Sequence, residues 1–239
     1  METFGEQEGE NKQVDKIRTF AVPYDFGVAK ENFTINTNNL FKPSKENIIE
    51  KAFKLHSEGN ISEAAKYYQL FINEGLKDHR VFSNYGTILK GLGKLEESEI
   101  LLRKAIILAP NYAKAHYNLG GILKDLGRFD ESKQSLQTAI KIDPNYAKAH
   151  YNLGILFKDL GRLKEAENHT RKAIQNKPDY SEAYYSLSTL KYSNNGRGWL
   201  ENLFSENIIK DKPKKDKINI YFARSNILHK EKNYKESCK

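Results

Sequence analysis

The sequence predicts an all-α protein built as a right-handed superhelix of paired helices, an α-solenoid. Two observations predict this fold. The segment NYAKAHYNLGGILKDLGRF begins at Asn111, and the nearly identical NYAKAHYNLGILFKDLGRL begins at Asn145, 34 residues later. At the same spacing, columns of small residues and a column of proline run through the middle of the chain. A fixed period of this length indicates stacked two-helix units rather than one globular core.

Each column of the period corresponds to one feature of a helix pair. Four columns hold glycine or another small residue, with one exception at position 71: Gly59, Gly93, Gly127 and Gly161; Ala52, Gly86, Gly120 and Gly154; Ala64, Ser98, Ser132 and Ala166; Phe71, Ala105, Ala139 and Ala173. The prolines at 110, 144 and 178 end one unit, and a new helix begins after each of them. We expect Gly127 to end the first helix in the left-handed conformation. Gly120 and Ser132 mark the place where the two helices of a unit approach closely.

These columns resemble the tetratricopeptide repeat, a helix-turn-helix unit of 34 residues. The first unit departs from the pattern at Leu76 and Phe71, as end repeats of this family do. The resemblance implies the following organisation: a flexible leader at 1–44, a repeat domain at 45–190 with full repeats at 45–78, 79–112, 113–146 and 147–180 and the start of a degenerate fifth, an irregular connecting segment at 191–217, and a truncated further repeat at 218–239.

Two features are predicted beyond the regular repeats. Trp199, Leu200, Leu203 and Phe204 predict a short buried helix. The stretch 218–232 then predicts another first helix, whose partner begins at Tyr234 and is cut short. We therefore expect the natural chain to continue beyond the last residue given.

Composition describes a strongly hydrated chain without a membrane span. Of its 239 residues, 38% are hydrophobic and 29% charged, the mean hydropathy is −0.72, and the first twenty residues are acidic rather than basic and then apolar. We expect a cytoplasmic protein. The single cysteine, Cys238, excludes an internal disulfide and a paired-cysteine metal site. Neither a metal nor another cofactor is expected.

The net charge of +8 is concentrated at the C-terminal end. Residues 210–239 contain ten Lys or Arg and four Asp or Glu, which accounts for +6. Because the charge lies in a tail and not across a whole domain, we interpret residues 210–239 as a solvated, lysine-rich segment. Nucleic acid binding through this tail remains an alternative that modest salt would abolish.

In the tetratricopeptide family, the first helix of each unit lines the inner face of the superhelix, and the resemblance implies that this face binds a peptide. The matching positions carry amides, tyrosines and cations: Asn84, Asn118 and Asn152; Tyr117, Tyr151 and Tyr185; Arg80, Lys114 and Lys148; Lys124 and Lys158. Amides can bond an extended backbone, tyrosines offer flat contact area, and lysines favour acidic ligands. The asparagine row resembles the ladder of O-linked N-acetylglucosamine transferases, and its alternative is a solvated face.

Other polar residues of the repeats are interpreted as structural. His116 and His150 lie one repeat apart, too far to share a metal ion, and are predicted to pack. Asp125 and Asp159, next to lysines, are predicted to form ion pairs between neighbouring units. No nucleophile and base stand out, so the chain as given is not expected to be an enzyme.

A second resemblance concerns the segments KINIYFARSNILHKEKNYKES, from Lys217, and KENFTINTN, from Lys30. They are similar to segments of bacterial proteins in which tetratricopeptide repeats precede a sulfotransferase domain. The resemblance implies two open functions: a peptide-binding scaffold, or the substrate-recognition arm of a larger sulfotransferase or glycosyltransferase. A further alternative places Phe20–Phe26 (FAVPYDF) in the groove as an internal ligand.

Overall fold

The computed structural model describes residues 44–190 and 198–231. Within these ranges the chain is helical and contains no strand. The helices are α1 (Lys45–Ser57), α2 (Ile61–Asn73), α3 (His79–Gly91), α4 (Leu95–Leu108), α5 (Ala113–Asp125), α6 (Phe129–Ile142), α7 (Ala147–Asp159), α8 (Leu163–Asn176), α9 (Ser181–Thr189), α10 (Gly198–Phe204) and α11 (Lys214–Lys230), with a 3-10 turn at Glu206–Ile208. The all-α solenoid of paired helices is confirmed.

The chain divides into two compact units, residues 1–47 and residues 48–239. The first unit is described only at residues 44–47, where the Asn47 N–H donates to Ser44 Oγ at 3.2 Å. The predicted leader and its FAVPYDF segment otherwise lie outside the described residues. So does the partner helix predicted to begin at Tyr234.

In the second unit, short glycine turns separate the two helices of each pair. The glycines at 59, 93, 127 and 161 have φ values of 78°, 76°, 75° and 73°. The prediction for Gly127 is confirmed, and its N–H donates to Lys124 O at 2.9 Å while the Arg128 N–H donates to Leu123 O at 2.8 Å. These two bonds satisfy carbonyls that the end of α5 would otherwise leave open.

The small-residue columns lie where the helices of a pair meet. Ser132 Oγ on α6 donates to Gly120 O on α5 at 2.7 Å, and both residues are buried. A Cβ atom on Gly120 would lie 2.7 Å from Leu136 Cγ, much closer than van der Waals contact. The predicted close approach of the two backbones is therefore confirmed, and it depends on the missing side chain of Gly120.

The core continues from one pair to the next. Leu136 of α6 packs with Leu153 and Leu156 of α7, and the same cluster reaches Ile220 of α11. At the N-terminal end, Phe71 is fully buried in a separate cluster, although the later repeats have alanine in its column. The first helix pair therefore buries the large ring of Phe71 at a position where the later repeats bury the small side chain of alanine.

The helices after the fourth repeat differ in length from those of the repeats: α9 has 9 residues, α10 has 7 and α11 has 17. The short helix α10 buries Trp199 and Leu203 as predicted, whereas Phe204 is 40% exposed. The Arg224 guanidinium lies 5.9 Å from the centre of its ring. The helix predicted over 218–232 begins four residues earlier, at Lys214, directly after Pro213, whose ψ of 152° is not helical.

Helix α11 lies parallel to α9 and packs directly against it. Ser181 Oγ donates to Asp216 Oδ1 at 3.1 Å near the start of both helices. Asn226 Nδ2 donates to Ser188 Oγ at 3.1 Å near the end of both. The helices α9 and α11 therefore run side by side in the same direction.

Candidate protein-binding face

The first helices of consecutive repeats lie side by side. We call the exposed side of α3, α5, α7 and α9 the first-helix face, and these four helices carry all the binding residues predicted above. Asn118 on α5 sets the spacing of two of them, because its Nδ2 donates to Ser83 Oγ at 3.3 Å and to Thr87 Oγ1 at 3.0 Å on α3. The structure therefore brings the predicted residues onto adjacent helices.

The three predicted asparagines all contact the preceding repeat. Asn84 Nδ2 donates to the Tyr68 hydroxyl at 3.4 Å, and Asn84 Oδ1 accepts a bond from Lys114 Nζ at 3.0 Å. Asn152 lies beside the Tyr117 hydroxyl; burial raises the pKa of Tyr117, and Asn152 lowers it by less. The amides therefore join neighbouring repeats, a role that the sequence analysis did not anticipate.

The predicted tyrosines belong to a larger aromatic row. The rings of Tyr117 and Tyr146 lie 5.1 Å apart, and those of Tyr151 and Tyr180 lie 5.0 Å apart. Burial raises the pKa of all four hydroxyls, so each stays protonated and able to donate at neutral pH. Sequence reasoning missed Tyr146 and Tyr180, although tyrosine at 112, 146 and 180 forms a column of the repeat.

The third predicted tyrosine continues this row onto the last helix. Tyr185 is 42% exposed, and its ring lies 6.3 Å from that of Phe222 on α11 in an edge-to-face arrangement. Phe222 was also missed, because its register relative to α9 follows from tertiary packing and not from the period.

The lysines at the ends of the first helices are used within the solenoid. Lys90 Nζ lies 2.9 Å from Asp125 Oδ2, and Lys124 Nζ lies 3.6 Å from Asp159 Oδ2. Lys158 Nζ donates to Thr189 Oγ1 at 3.1 Å. The predicted ion pairing between neighbouring units is confirmed, and it reduces the positive charge that Lys124 can offer to a ligand.

Cations at the starts of the first helices differ from one repeat to the next. Arg80 is paired with Asp78, whose Oδ2 lies 2.8 Å from Arg80 Nη2. Among the residues that the structure describes, Lys114 and Lys148 form no ion pair with a carboxylate. Burial lowers the pKa of Lys114, and repulsion from Lys148 lowers it further. Two neighbouring positive charges on this face are therefore uncompensated.

The histidines of the repeats make contacts that fit a packing role. Nε2 of His116 lies 2.8 Å from Pro110 O, and Nε2 of His150 lies 3.1 Å from Pro144 O. No group of three or more His, Cys, Asp or Glu side chains in residues 44–190 and 198–231 is arranged to hold a metal ion. Across the same ranges, every helix is too short or too polar to cross a membrane.

Paired helices stacked at a regular spacing, with one exposed face rich in tyrosine and lysine, define a helical-repeat scaffold. Residues 79–112 and 147–180 each match the family model described as tetratricopeptide repeat, and residues 120–161 match the model described as TPR repeat. Residues 79–112 and 120–180 therefore match tetratricopeptide repeats, and the helix pairs there have the fold of that repeat.

The fold is similar to that of solved MamA structures. MamA from Desulfovibrio magneticus RS-1, residue 41 to the end, aligns with a TM-score of 0.53 and 20% identity over 60% of this chain and 81% of that chain. Another structure of MamA protein aligns with a TM-score of 0.54 and 20% identity over 80% of this chain and 94% of that one. At these identities the likeness shows the fold alone.

One further solved structure is a mutant of the O-GlcNAc transferase from Thermobaculum terrenum. It is 24% identical over 46% of this chain and 21% of that chain, with a TM-score of 0.45, a value too low to support an inference. The comparison with curated proteins finds no match.

Proposed function

We propose that the first-helix face binds an extended, acidic segment of a partner protein. The observation that carries the proposal is the pair of uncompensated cations, Lys114 and Lys148, on neighbouring first helices. The partial burial of Lys114, and then repulsion from Lys148, lower the pKa of Lys114. A carboxylate of a bound peptide would relieve this repulsion, so binding and the charged state of Lys114 would favour each other.

The contrast with the other lysines gives the proposal its specificity. Lys90 and Lys124 already have aspartate partners at 2.9 Å and 3.6 Å. A ligand carboxylate would have to displace these partners to bind there. The two cations at the starts of α5 and α7 require no such exchange, and for this reason we place the acidic side chains of the ligand beside them.

The aromatic row supplies contact area next to these cations. Tyr117 and Tyr151 are half-buried, and each is held by a second tyrosine, so little rotamer entropy remains to be lost when a ligand packs on them. Their hydroxyls stay protonated and can donate to carbonyl or carboxylate oxygens. The row therefore complements the two lysines along the same helices.

The asparagines contribute to this proposal mainly by holding the repeats in register. Both donor bonds of Asn118 Nδ2 go to α3, and Asn84 bonds both Tyr68 and Lys114. The bond from Lys114 Nζ to Asn84 Oδ1 fixes the direction of that ammonium group. A clamp on the peptide backbone by this row stays a prediction.

The proposal is tested with the full chain and two fluorescein-labelled decapeptides, one alternating Glu and Ala and the other alternating Gln and Ala. Fluorescence anisotropy at low salt is expected to show binding of the Glu peptide only. The double variant Lys114→Ala, Lys148→Ala is expected to weaken that binding about tenfold or more, because two charge-assisted contacts are lost.

A matched double variant separates this site from general attraction to a basic protein. Lys141→Ala, Lys164→Ala also removes two exposed lysines, but from the second helices α6 and α8. Its affinity for the Glu peptide is expected to stay within about twofold of the parent chain. Equal losses in the two double variants, or equal binding of the Gln peptide, would contradict the proposal.

The role of a recognition arm for a larger sulfotransferase or glycosyltransferase stays a prediction. It rests on the resemblance of the segments beginning at Lys30 and Lys217. Reading the coding sequence downstream of Lys239 tests it, since this alternative requires a donor-binding domain there.

A further inference from the structure

A cavity of about 320 Å³ opens on the surface between α2, α3 and α4. Its walls are mostly apolar and include Ile72, Leu76, Phe82, Ile107 and Leu108. None of these residues belongs to the first-helix face defined above. The volume is at the lower end of the range for ligand pockets and suits one or two large side chains.

Helix α4 exposes apolar side chains at the cavity and, two turns earlier, at Ile100. Ile107 is 77% exposed, Ile100 is 55% exposed and Leu108 is 43% exposed. Because these residues are seven and eight positions apart on one helix, they lie on the same side of α4. Single exposed apolar residues are common on proteins, so it is the position of Ile107 and Leu108 at the cavity, and not their exposure alone, that indicates a binding surface.

The equivalent helices of the next two repeats lack this surface. The positions of Ile100, Ile107 and Leu108 are occupied in α6 and α8 by the following residues: Gln134, Lys141 and Ile142; Asn168, Gln175 and Asn176. The repeat fold therefore does not require apolar residues here, since α6 and α8 form the same kind of helix with mostly polar ones.

Two departures from the repeat pattern help to form the cavity. Leu76 replaces the proline of the later repeats, and Phe82 replaces their histidine. In the third repeat, Nε2 of His116 lies within hydrogen-bonding distance of Pro110 O, at 2.8 Å. Phe82 has no such group, and its ring lines the cavity instead.

Positive charge lies beside this apolar surface. Lys77 and Lys104 both line the cavity and are exposed. In the part of the chain that the structure describes, neither lysine is paired with a carboxylate. On α6, by contrast, Lys133 Nζ lies 3.6 Å from Asp130 Oδ1. An apolar cavity flanked by two such lysines is complementary to an apolar side chain with acidic neighbours.

We propose that this α4 surface, comprising Ile72, Leu76, Phe82, Ile107, Leu108, Lys77 and Lys104, is a second docking site for a partner protein. It takes a short acidic segment whose Leu or Phe side chain fills the cavity while its carboxylates lie beside the two lysines. The apolar anchor provides most of the affinity and the charges provide the selection. The site is independent of the first-helix face, so one chain can hold two partner segments.

The experiment uses the full chain with the Lys114→Ala, Lys148→Ala background, so that the first-helix face does not contribute. The probe is the fluorescein-labelled peptide Asp-Asp-Leu-Phe-Asp-Asp. Two control peptides replace Leu-Phe by Ser-Ser, or all four Asp by Asn. Fluorescence anisotropy is expected to show binding of the first peptide. The affinity of each control peptide is expected to be at least about tenfold lower.

Substitutions copied from the third repeat test the site. Ile107→Lys copies Lys141 and is expected to weaken binding of the probe about tenfold or more. The pair Lys77→Asn, Lys104→Thr copies Asn111 and Thr138 and is expected to weaken it about threefold to tenfold. The altered side chains are exposed, so the melting temperature is expected to stay unchanged.

A matched apolar-to-lysine change away from α4 completes the test. Tyr221→Lys alters a side chain on α11 that is 52% exposed, and the affinity for the probe is expected to stay within about twofold. The proposal is overturned if the probe does not bind in this background, or if Ile107→Lys leaves its affinity unchanged. Sedimentation showing a dimer that Ile107→Lys dissolves would also overturn it, because a second copy would then be the occupant.

Discussion

The third and fourth repeats, residues 113–146 and 147–180, have nearly the same first helix but different second helices. Helix α5 reads AKAHYNLGGILKD and α7 reads AKAHYNLGILFKD, whereas α6 reads FDESKQSLQTAIKI and α8 reads LKEAENHTRKAIQN. Both repeats pair their helices through a glycine, at 120 and 154. What lies against that glycine, and against the shared histidine, is different in the two.

Three contacts illustrate this difference. Gly120 faces Leu136, and Gly154 faces Thr170 Oγ1. Ser132 bonds Gly120 O, whereas Ala166 occupies the equivalent position of the fourth repeat. The two repeats therefore form the same helix pair, while their different second helices place different side chains against the first helix.

The third contact involves the histidine that the two repeats share, and it extends the comparison to charge. His150 is buried, and its Nδ1 lies 3.2 Å from Nδ1 of His169 on α8. His116 in the third repeat is half-buried, and position 135 of α6, which corresponds to His169, is serine. Only the fourth of these two repeats therefore contains a pair of neighbouring imidazoles.

The largest effect is expected from filling the space at the helix junction. Gly120→Leu is expected to lower the free energy of unfolding by about 3 kcal/mol, because even a Cβ atom would lie 2.7 Å from Leu136 Cγ and 3.3 Å from Ser132 O. Urea denaturation followed by circular dichroism measures the change.

Its control is a glycine on a first helix that faces open space. A Cβ atom on Gly91 of α3 would have no neighbour within 4 Å. Gly91→Ala is expected to stabilise the chain by about 0.5–1 kcal/mol, since alanine loses less backbone entropy in a helix. Equal effects at the two glycines would show that helix propensity, and not the close approach, governs both positions.

The next effect concerns pH and the histidine of the fourth repeat. The pKa of His169 is lowered to about 4, first by burial and then by repulsion from His150 and Lys172. Its ordinary value of about 6.5 applies in the unfolded chain. The stability it contributes is therefore complete above about pH 6.5 and is lost as the pH falls toward about 4.

We expect this loss to be about 1–2 kcal/mol after allowing for solvent screening, measured as urea denaturation at a series of pH values. His169→Ser, which copies Ser135 of the third repeat, is expected to flatten the dependence between these pH values. An NMR titration of the His169 imidazole near its usual 6.5 would refute the assignment.

The smallest effect is expected from the hydroxyl that joins α6 to α5. Ser132→Ala removes a buried hydrogen bond of 2.7 Å to Gly120 O and is expected to cost about 0.5–1.5 kcal/mol. Ser98→Ala removes the equivalent bond to Gly86 O, 2.6 Å long, and is expected to cost the same. Ser135→Ala on the half-exposed side of α6 serves as the control and is expected to stay within about 0.5 kcal/mol of the parent chain.

The repeat fold could be predicted residue by residue because its signals are local. The left-handed Gly127 follows from the end of one helix, and the close approach at Gly120 follows from the small residues 34 positions apart. The ion pair between Lys124 and Asp159 could be predicted because both residues occupy repeated positions at the ends of first helices. The start of α11 at Lys214 could not, since the repeat pattern is lost before it.

The candidate binding face could be predicted only in part. The helices that carry it follow from the period, but residue types alone do not distinguish the asparagines that bond a neighbouring repeat or the lysines that have no carboxylate partner. The structure shows Asn118 bonded to α3 and Lys124 paired with Asp159, while Lys114 lacks a carboxylate partner in the described residues. Whether a side chain is used within the solenoid depends on its neighbour in the adjoining repeat.

The sequence by itself determined the helix pairs, their ends and their stacking, because each depends on residues within one period and the period repeats. The tertiary structure decided which charges are compensated, which tyrosines touch, and where α4 exposes an apolar cavity. These features depend on side-chain distances across helix junctions. Such distances are set by packing between residues about one repeat apart, which no local pattern specifies.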